Sequence, residues 1–150
     1  MPLTPFHFGP GLLIAVIFLR RLDLITVLIA SVIVDIEPFI VLLFGLNYPL
    51  HGFFHSFLGG SLVAIVLAGF IYHVYRYFEK KVLLRKIVIS SFAGVHLHIL
   101  LDSFLYLDIK PFYLSGINPF YGLVSSSQVY MFCVVSLIVG SVAIVYLKSK

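Results

Sequence analysis

The sequence predicts an all-α, polytopic membrane bundle of about five helical segments, formed as one integral membrane domain over residues 1–150. Three observations predict it. The 150 residues are 61% hydrophobic, with a mean hydropathy of +1.14, against roughly 45–50% apolar content in soluble domains. A chain of this length cannot hide that excess in a water-facing core, so lipid must be the solvent for much of its surface. The apolar residues fall in runs broken by polar or Pro/Gly-bearing stretches, and the charges collect at the ends of those runs.

The first two runs are Leu12–Leu19, entered through Gly9-Pro10-Gly11, and Leu24–Val34; Arg20-Arg21-Leu22-Asp23 separates them. At ~1.5 Å per residue each makes roughly 15–17 Å of helix, about half of a ~30 Å hydrocarbon core. They predict a short helical hairpin, carried towards a full crossing by polar flanks and snorkelling arginines. Asp35-Ile36-Glu37-Pro38 is where the second helix should end, since proline disfavours helix in what precedes it. Phe39–Leu46, closed by Asn47-Tyr48-Pro49, reads as an interfacial or re-entrant piece. A long helix over about Leu50–Phe78 follows, uncharged from Phe57 to Tyr72. It ends in an aromatic and basic cluster (Tyr72, Tyr75, Arg76, Tyr77, Lys80, Lys81) suited to a membrane interface. A linker to Arg85-Lys86 leads into a helix over Ile87–Tyr106. A loop then runs from Asp108 to Gly122, and a last helix spans about Gln128–Leu147, with Ser125-Ser126-Ser127 and Gln128 as its N-cap region. Gly59-Gly60, Ala68 and Gly69 predict close helix packing.

The charges divide between two faces. Arg20/Arg21, Arg76 through Lys86, and Lys148/Lys150 fall on one face, nine cations against Asp23 and Glu79, a net of +7. The other holds Lys110 against Asp35, Glu37, Asp102 and Asp108, a net of −3. The positive-inside rule puts the +7 face and the C-terminus in the cytoplasm and the acidic face outside. Basic residues so placed are topology signals, so the +4 overall charge is no sign of a nucleic-acid partner. Met1 to Gly11 lacks Lys and Arg, unlike an ordinary signal peptide. Cys133 is the single cysteine and reads as a small hydrophobe in an apolar run.

The acidic face gathers His7, Asp35, Glu37, His51, His55, His98 and Asp102. His51 and His55 are spaced i, i+4, as are His98 and Asp102, so on helices each pair projects from one side. Asp35 and Glu37 bracket one residue at an expected helix end, where both carboxylates can aim at one point. Ionisable groups at membrane depth are costly and are commonly paired with one another or with an ion. Imidazoles and carboxylates drawn from four chain regions suit a divalent cation. The mixed nitrogen and oxygen set favours Zn²⁺, with Mn²⁺ or Fe²⁺ as alternatives, and seven donors allow one ion or two. His96, two residues from His98, points elsewhere on its helix and reads as a packed histidine; His73 reads as interfacial among tyrosines. Ser56 and Ser103 adjoin expected ligands without a base-and-orienter pattern. Asp108, Lys110 and Asn118 read as turn residues, with head-group contact as the alternative.

These residues resemble the membrane-bound metal-dependent hydrolases, a family of small polytopic proteins. The resemblance rests on Thr4-Pro5-Phe6-His7, Asp35-Ile36-Glu37-Pro38, His51-Gly52-Phe53-Phe54-His55-Ser56 and Gly94 through His98-x-x-x-Asp102-Ser103, in the family's order over about residues 4–122. Two departures stand out. Glu37 replaces an Asp of the usual Asp-x-Asp motif and keeps a carboxylate. The Arg of the usual His-Arg-Gly-x-x-His-Ser is missing, since Gly52 directly follows His51. The resemblance implies a helical relation to zinc-dependent phospholipase C and single-strand nucleases, which bind metals through His and Asp.

The expected function is therefore hydrolysis by metal-activated water, on a phosphoester of a lipid or other phosphorylated amphiphile at the outer face. His7, Asp35, His51, His55, His98 and Asp102 are the expected ligands, with Asp35 and Glu37 as the catalytic carboxylates; Glu37 serves as ligand or general base. The bilayer is the expected partner, and the oligomeric state is open. A metal or proton transporter, a protein with a structural metal, and a haem protein are the competing readings.

Overall fold

Capping side chains at Asp23, Ser56 and Ser125 start three of the helices, and Pro38 sets a break in the chain. The computed structural model describes residues 4–149, all helix and loop, with no strand among them. A 3-10 turn over Thr4–His7 feeds helix α1 (Phe8–Ile17), with Pro10 in its first turn, where a missing N–H costs little. Helix α2 (Leu24–Ala30) is capped by Asp23, whose carboxylate accepts from the Thr26 N–H at 2.9 Å. The chain breaks at Ser31-Val32, passes through a 3-10 turn over Ile33–Asp35, and resumes as α3 (Ile36–Leu43). Pro38 explains the break. In an unbroken helix its ring would collide with the Val34 carbonyl and it could not donate there; in the first turn of α3 neither matters.

Helix α4 (Phe57–Tyr77) starts at Ser56, whose hydroxyl accepts from the Gly59 N–H at 3.0 Å. Helix α5 (Leu84–Leu105) follows, and α6 (Ser126–Lys148) opens with a capping box between Ser125 and Gln128, as the sequence predicts. The result is five helical segments. Four of them, Leu24–Leu43, Phe57–Tyr77, Leu84–Leu105 and Ser126–Leu147, are long and apolar enough to cross a membrane; Pro5–Ile17 is shorter.

Two expectations need correction. The run Leu24–Val34 is not the second limb of a short hairpin: with Phe39–Leu46 it forms one interrupted segment of 20 residues, so no separate re-entrant piece exists. The long helix begins at Phe57 rather than near Leu50, because Ser56 adopts the extended backbone of a cap and its hydroxyl accepts from the Gly59 N–H.

Helix α5 is central, packing on α4 and on α2, while α1 packs on α6. Ala30, Val34, Leu67, Ile71, Ile87, Val95 and Ile99 fill the space between α2, α4 and α5. Small residues let the backbones approach: a methyl at Gly94 would meet the Val27 carbonyl at 2.7 Å, and one at Gly60 would meet Val95 at 2.9 Å. Gly69, also expected to pack, faces open space. The outer faces of α4 and α6 expose Ile65, Val66, Phe70, Ile138, Val142 and Val145, a surface compatible with an integral membrane protein.

The charge partition is visible as two ends. Tyr75 donates to the Asp23 carboxylate at 3.0 Å, Lys86 Nζ to the Leu19 carbonyl at 3.0 Å, and the Asp23 N–H to Ser90 Oγ at 2.7 Å. These bonds join the ends of α1, α2, α4 and α5 that carry the basic residues; Lys150 lies outside the described residues. The opposite end holds the break at Ser31-Val32, the loop before α4, and the C-terminus of α5.

Candidate metal centre

At that opposite end, ligand atoms of Asp35, His55, His98 and Asp102 lie within 4.8 Å of one another. Each is delivered by a local feature already described. Asp35 ends the 3-10 turn forced by Pro38. His55 ends the 3-10 turn Phe53–His55, just ahead of the Ser56 cap. His98 and Asp102 stand one turn apart on α5, with His98 Nε2 3.3 Å from Asp102 Oδ2. The same nitrogen is 3.4 Å from Asp35 Oδ1, and His55 Nε2 is 3.8 Å from that oxygen.

The hydrogen bonds around the rings fix their tautomers. His98 Nδ1 lies 2.8 Å from the Ser31 carbonyl, which only accepts, so Nδ1 carries the proton. That carbonyl is available because α2 ends there and leaves its last oxygens without helical donors. His55 Nδ1 lies 2.9 Å from Glu37 Oε2, again an acceptor. In the neutral form, therefore, both rings turn an unprotonated Nε2 towards the same carboxylates. Neither Nε2 has a hydrogen-bond partner, nor does Asp102 Oδ1, although all three atoms are buried. Each such atom costs about 1–3 kcal/mol if left unmatched.

A cation removes that cost. Ligands held at ~2.0–2.2 Å in a tetrahedron stand roughly 3.3–3.6 Å apart, and the separations of 3.3, 3.4 and 3.8 Å fall at or near that spacing. Two imidazole nitrogens and two carboxylates are a suitable donor set for a divalent ion, and the remaining nitrogens already carry the outer partners that metal-bound histidines usually have. Burial pulls the His55 imidazole down, but the Asp35 and Glu37 carboxylates beside it outweigh this and hold it above its ordinary value of 6.5. No family model matches the chain, and no curated protein or solved structure is significantly similar to it. The chemistry of the site must carry the functional reading.

The other three expected ligands stand around the four. His7 Nε2 approaches Asp102 Oδ1 at 3.0 Å without hydrogen-bond alignment, and its ring meets that of His98 edge-on at 4.1 Å. Glu37 does not share a point with Asp35. The two carboxylates grip the His55 ring from opposite sides, and Glu37 orients the imidazole. His51 is not one helical turn from His55, since neither lies on an α-helix. Its Nδ1 is 2.8 Å from Asp108 Oδ2, and its ring lies 5.0 Å from that of His55 and 4.5 Å from that of Tyr106. Burial, then the nearby Asp102 carboxylate, pushes the Tyr106 phenol up, so it stays protonated beside these rings.

The remaining side chains take structural places. His96 is a packed histidine, bonded to the Phe92 carbonyl and to Ser61 on α4 and stacked between Phe57 and Phe92. Asn118 donates to the Ser103 and Tyr106 carbonyls at 2.8 Å, closing the end of α5. Sequence reading missed Ser31, whose contribution is a main-chain oxygen and leaves no side-chain signal. Asp108 lies in a turn, as expected, and its carboxylate in addition holds His51, which the sequence does not reveal.

Glu37→Gln tests the orienting role. Removing the charge that holds His55 Nδ1–H is expected to weaken metal affinity by about 10–100-fold while the helices persist. Competition against a chromophoric chelator measures this; an unchanged affinity would show that His55 needs no such partner.

Proposed function

We propose that the chain is a membrane-embedded, metal-dependent hydrolase acting on a phosphoester of a lipid or other amphiphile at the extracytoplasmic face. One observation carries the reading: three buried ligand atoms, on His55, His98 and Asp102, converge without hydrogen-bond partners beside a fourth ligand, Asp35. The donor set suits one ion and favours Zn²⁺ over Mn²⁺ or Fe²⁺. When bound, such an ion lowers the pKa of a water molecule from 15.7 to about 7 and polarises the group to be cleaved. The chain's own part is to fix His55 through Glu37 and His98 through Ser31, and to leave one side open. Asp35 is 20% exposed while the histidines are fully buried, so solvent and substrate reach the cluster past Asp35. The +7 end belongs in the cytoplasm by the positive-inside rule, which sets the centre at the outer leaflet.

A transporter would need polar groups along the rest of the path. Between α2, α4 and α5 that path is filled by Ala30, Val34, Leu67, Ile71 and Ile87, which disfavours transport. Turnover decides the matter. The zinc-loaded chain in liposomes is expected to release phosphate or headgroup from a panel of phospholipids, and Asp102→Asn to abolish release. A metal-bound protein with no turnover on any phosphoester would leave a structural metal as the better reading.

A further inference from the structure

A second feature at the same end concerns what the centre would act upon. A cavity of about 410 Å³, walled by Tyr48, His51, Phe53, Asp108, Lys110 and Tyr113, opens beside the cluster. Its size lies within the roughly 300–1,000 Å³ of small-molecule sites. His51 is the shared wall: it lines the cavity, and its ring is 5.0 Å from that of His55.

Lys110 is the informative residue. By the sequence partition of charge it is the one Lys or Arg assigned to the acidic face. Asp108 is two residues away, yet its carboxylate is 2.8 Å from His51 Nδ1. Lys110 itself has no hydrogen bond or ion pair among the described residues. Its backbone is anchored, because Ile109 and Pro111 on either side are buried and the Phe57 N–H donates to the Pro111 carbonyl at 2.9 Å. The exposed, unpaired Lys110 side chain is thus carried at the edge of a cavity whose far wall borders the candidate cation site. With a cation held at the cluster, positive charge would stand on two sides of the cavity against the single Asp108 carboxylate already engaged by His51, and would suit an anion with oxygens facing both, as phosphate has. The rim adds an apolar requirement: Leu114 is 94% and Ile117 67% exposed, in a loop that closes on Gly116 with φ +67°. Such side chains suit an acyl chain or the membrane surface itself.

We infer that this cavity binds the phosphate headgroup of a membrane amphiphile, with Lys110 as its anion anchor and the Phe112–Ile117 loop against the apolar tail. The inference rests on the hydrolase reading for its purpose but not for its test, which measures binding alone. The full chain is placed in neutral-lipid nanodiscs, in metal-loaded and chelator-stripped forms. It is titrated calorimetrically with dihexanoyl phosphatidate, with dihexanoylglycerol and with inorganic phosphate. The phosphatidate is expected to bind most tightly. Lys110→Gln should weaken it about tenfold in both forms, Lys110→Arg should restore most of the loss, and Lys81→Gln, at the basic end, should leave it unchanged.

Equal affinity in the wild type and Lys110→Gln overturns the inference. So does an equal loss in Lys81→Gln, which would mark bulk charge, or dihexanoylglycerol binding as tightly as the phosphatidate. Inorganic phosphate binding as tightly as the phosphatidate would make this a free-phosphate site and overturn the amphiphile assignment. A wild-type protein that holds no metal sinks the hydrolase reading alone, since the Lys110 comparison is read equally in the stripped form.

Discussion

Replacing His98 with alanine is expected to strip the protein of its metal. His98 Nε2 lies 3.3 Å from one carboxylate and 3.4 Å from the other, and its tautomer is fixed by the Ser31 carbonyl. Losing it removes a ligand outright, so the drop in affinity should exceed the 10–100-fold typical of losing an outer partner. The variant also leaves Asp35 and Asp102 facing each other with no imidazole between them. Each buried polar group left unsatisfied costs about 1–3 kcal/mol, so a folding defect would mimic metal loss. Asp102→Asn separates the two effects. It keeps the shape of the side chain while withdrawing one negative charge, and it should retain a cooperative thermal transition yet hold little metal. Elemental analysis of the purified proteins reads the outcome. Wild-type metal content in both variants would remove the centre from consideration.

Withdrawal of the metal is expected to destabilise the wild type, and by an amount that depends on pH. A ligand present at 100–1,000 times its dissociation constant stabilises by about 2.7–4.1 kcal/mol, and the gap between loaded and stripped protein should be of this order near neutrality. The sign of the pH dependence follows from His55. In the stripped protein its pKa is raised above 6.5 by its two carboxylates. The stability this pairing contributes is fully present below 6.5 and fades as pH rises through the folded value. Metal binding needs the imidazole neutral and runs the other way. The difference in melting temperature should therefore be widest in alkali above the folded value, and should narrow as pH falls through that value, which lies above 6.5. Melting curves of protein stripped by dialysis and then reloaded would check this. A difference that stays constant across the range would mean that no titrating histidine takes part.

How far the sequence revealed this centre depended on whether a regular element carried the residues. His98 and Asp102 were legible because a helix converts a spacing of four into adjacency, and α5 is helical throughout. The same rule misled at His51 and His55. There the Ser56 cap starts the helix only at Phe57, and His55 reaches the cluster from a 3-10 turn. The cue was present, since a serine precedes the uncharged run from Phe57. Pro38 marked an interruption correctly, but periodicity could not show whether the chain would turn back or cross on. Glu37 and Asp35 were read as a pair aimed at one ion. Which side of the His55 ring each occupies is a matter of three-dimensional placement, two residues apart in sequence and opposite in space. The overall bundle was easier, because lipid exposure writes itself into composition along whole helices.

The four converging donors arise from widely separated stretches, the first at Asp35 and the last at Asp102, near the end of α5. A nascent chain inserted from its N-terminus has no complete chelating set until the fourth of its five helical segments has entered the bilayer. Capture of an ion by this cluster would then be a late event in biogenesis, and a truncated or stalled product would remain unable to hold one however well its early helices were inserted.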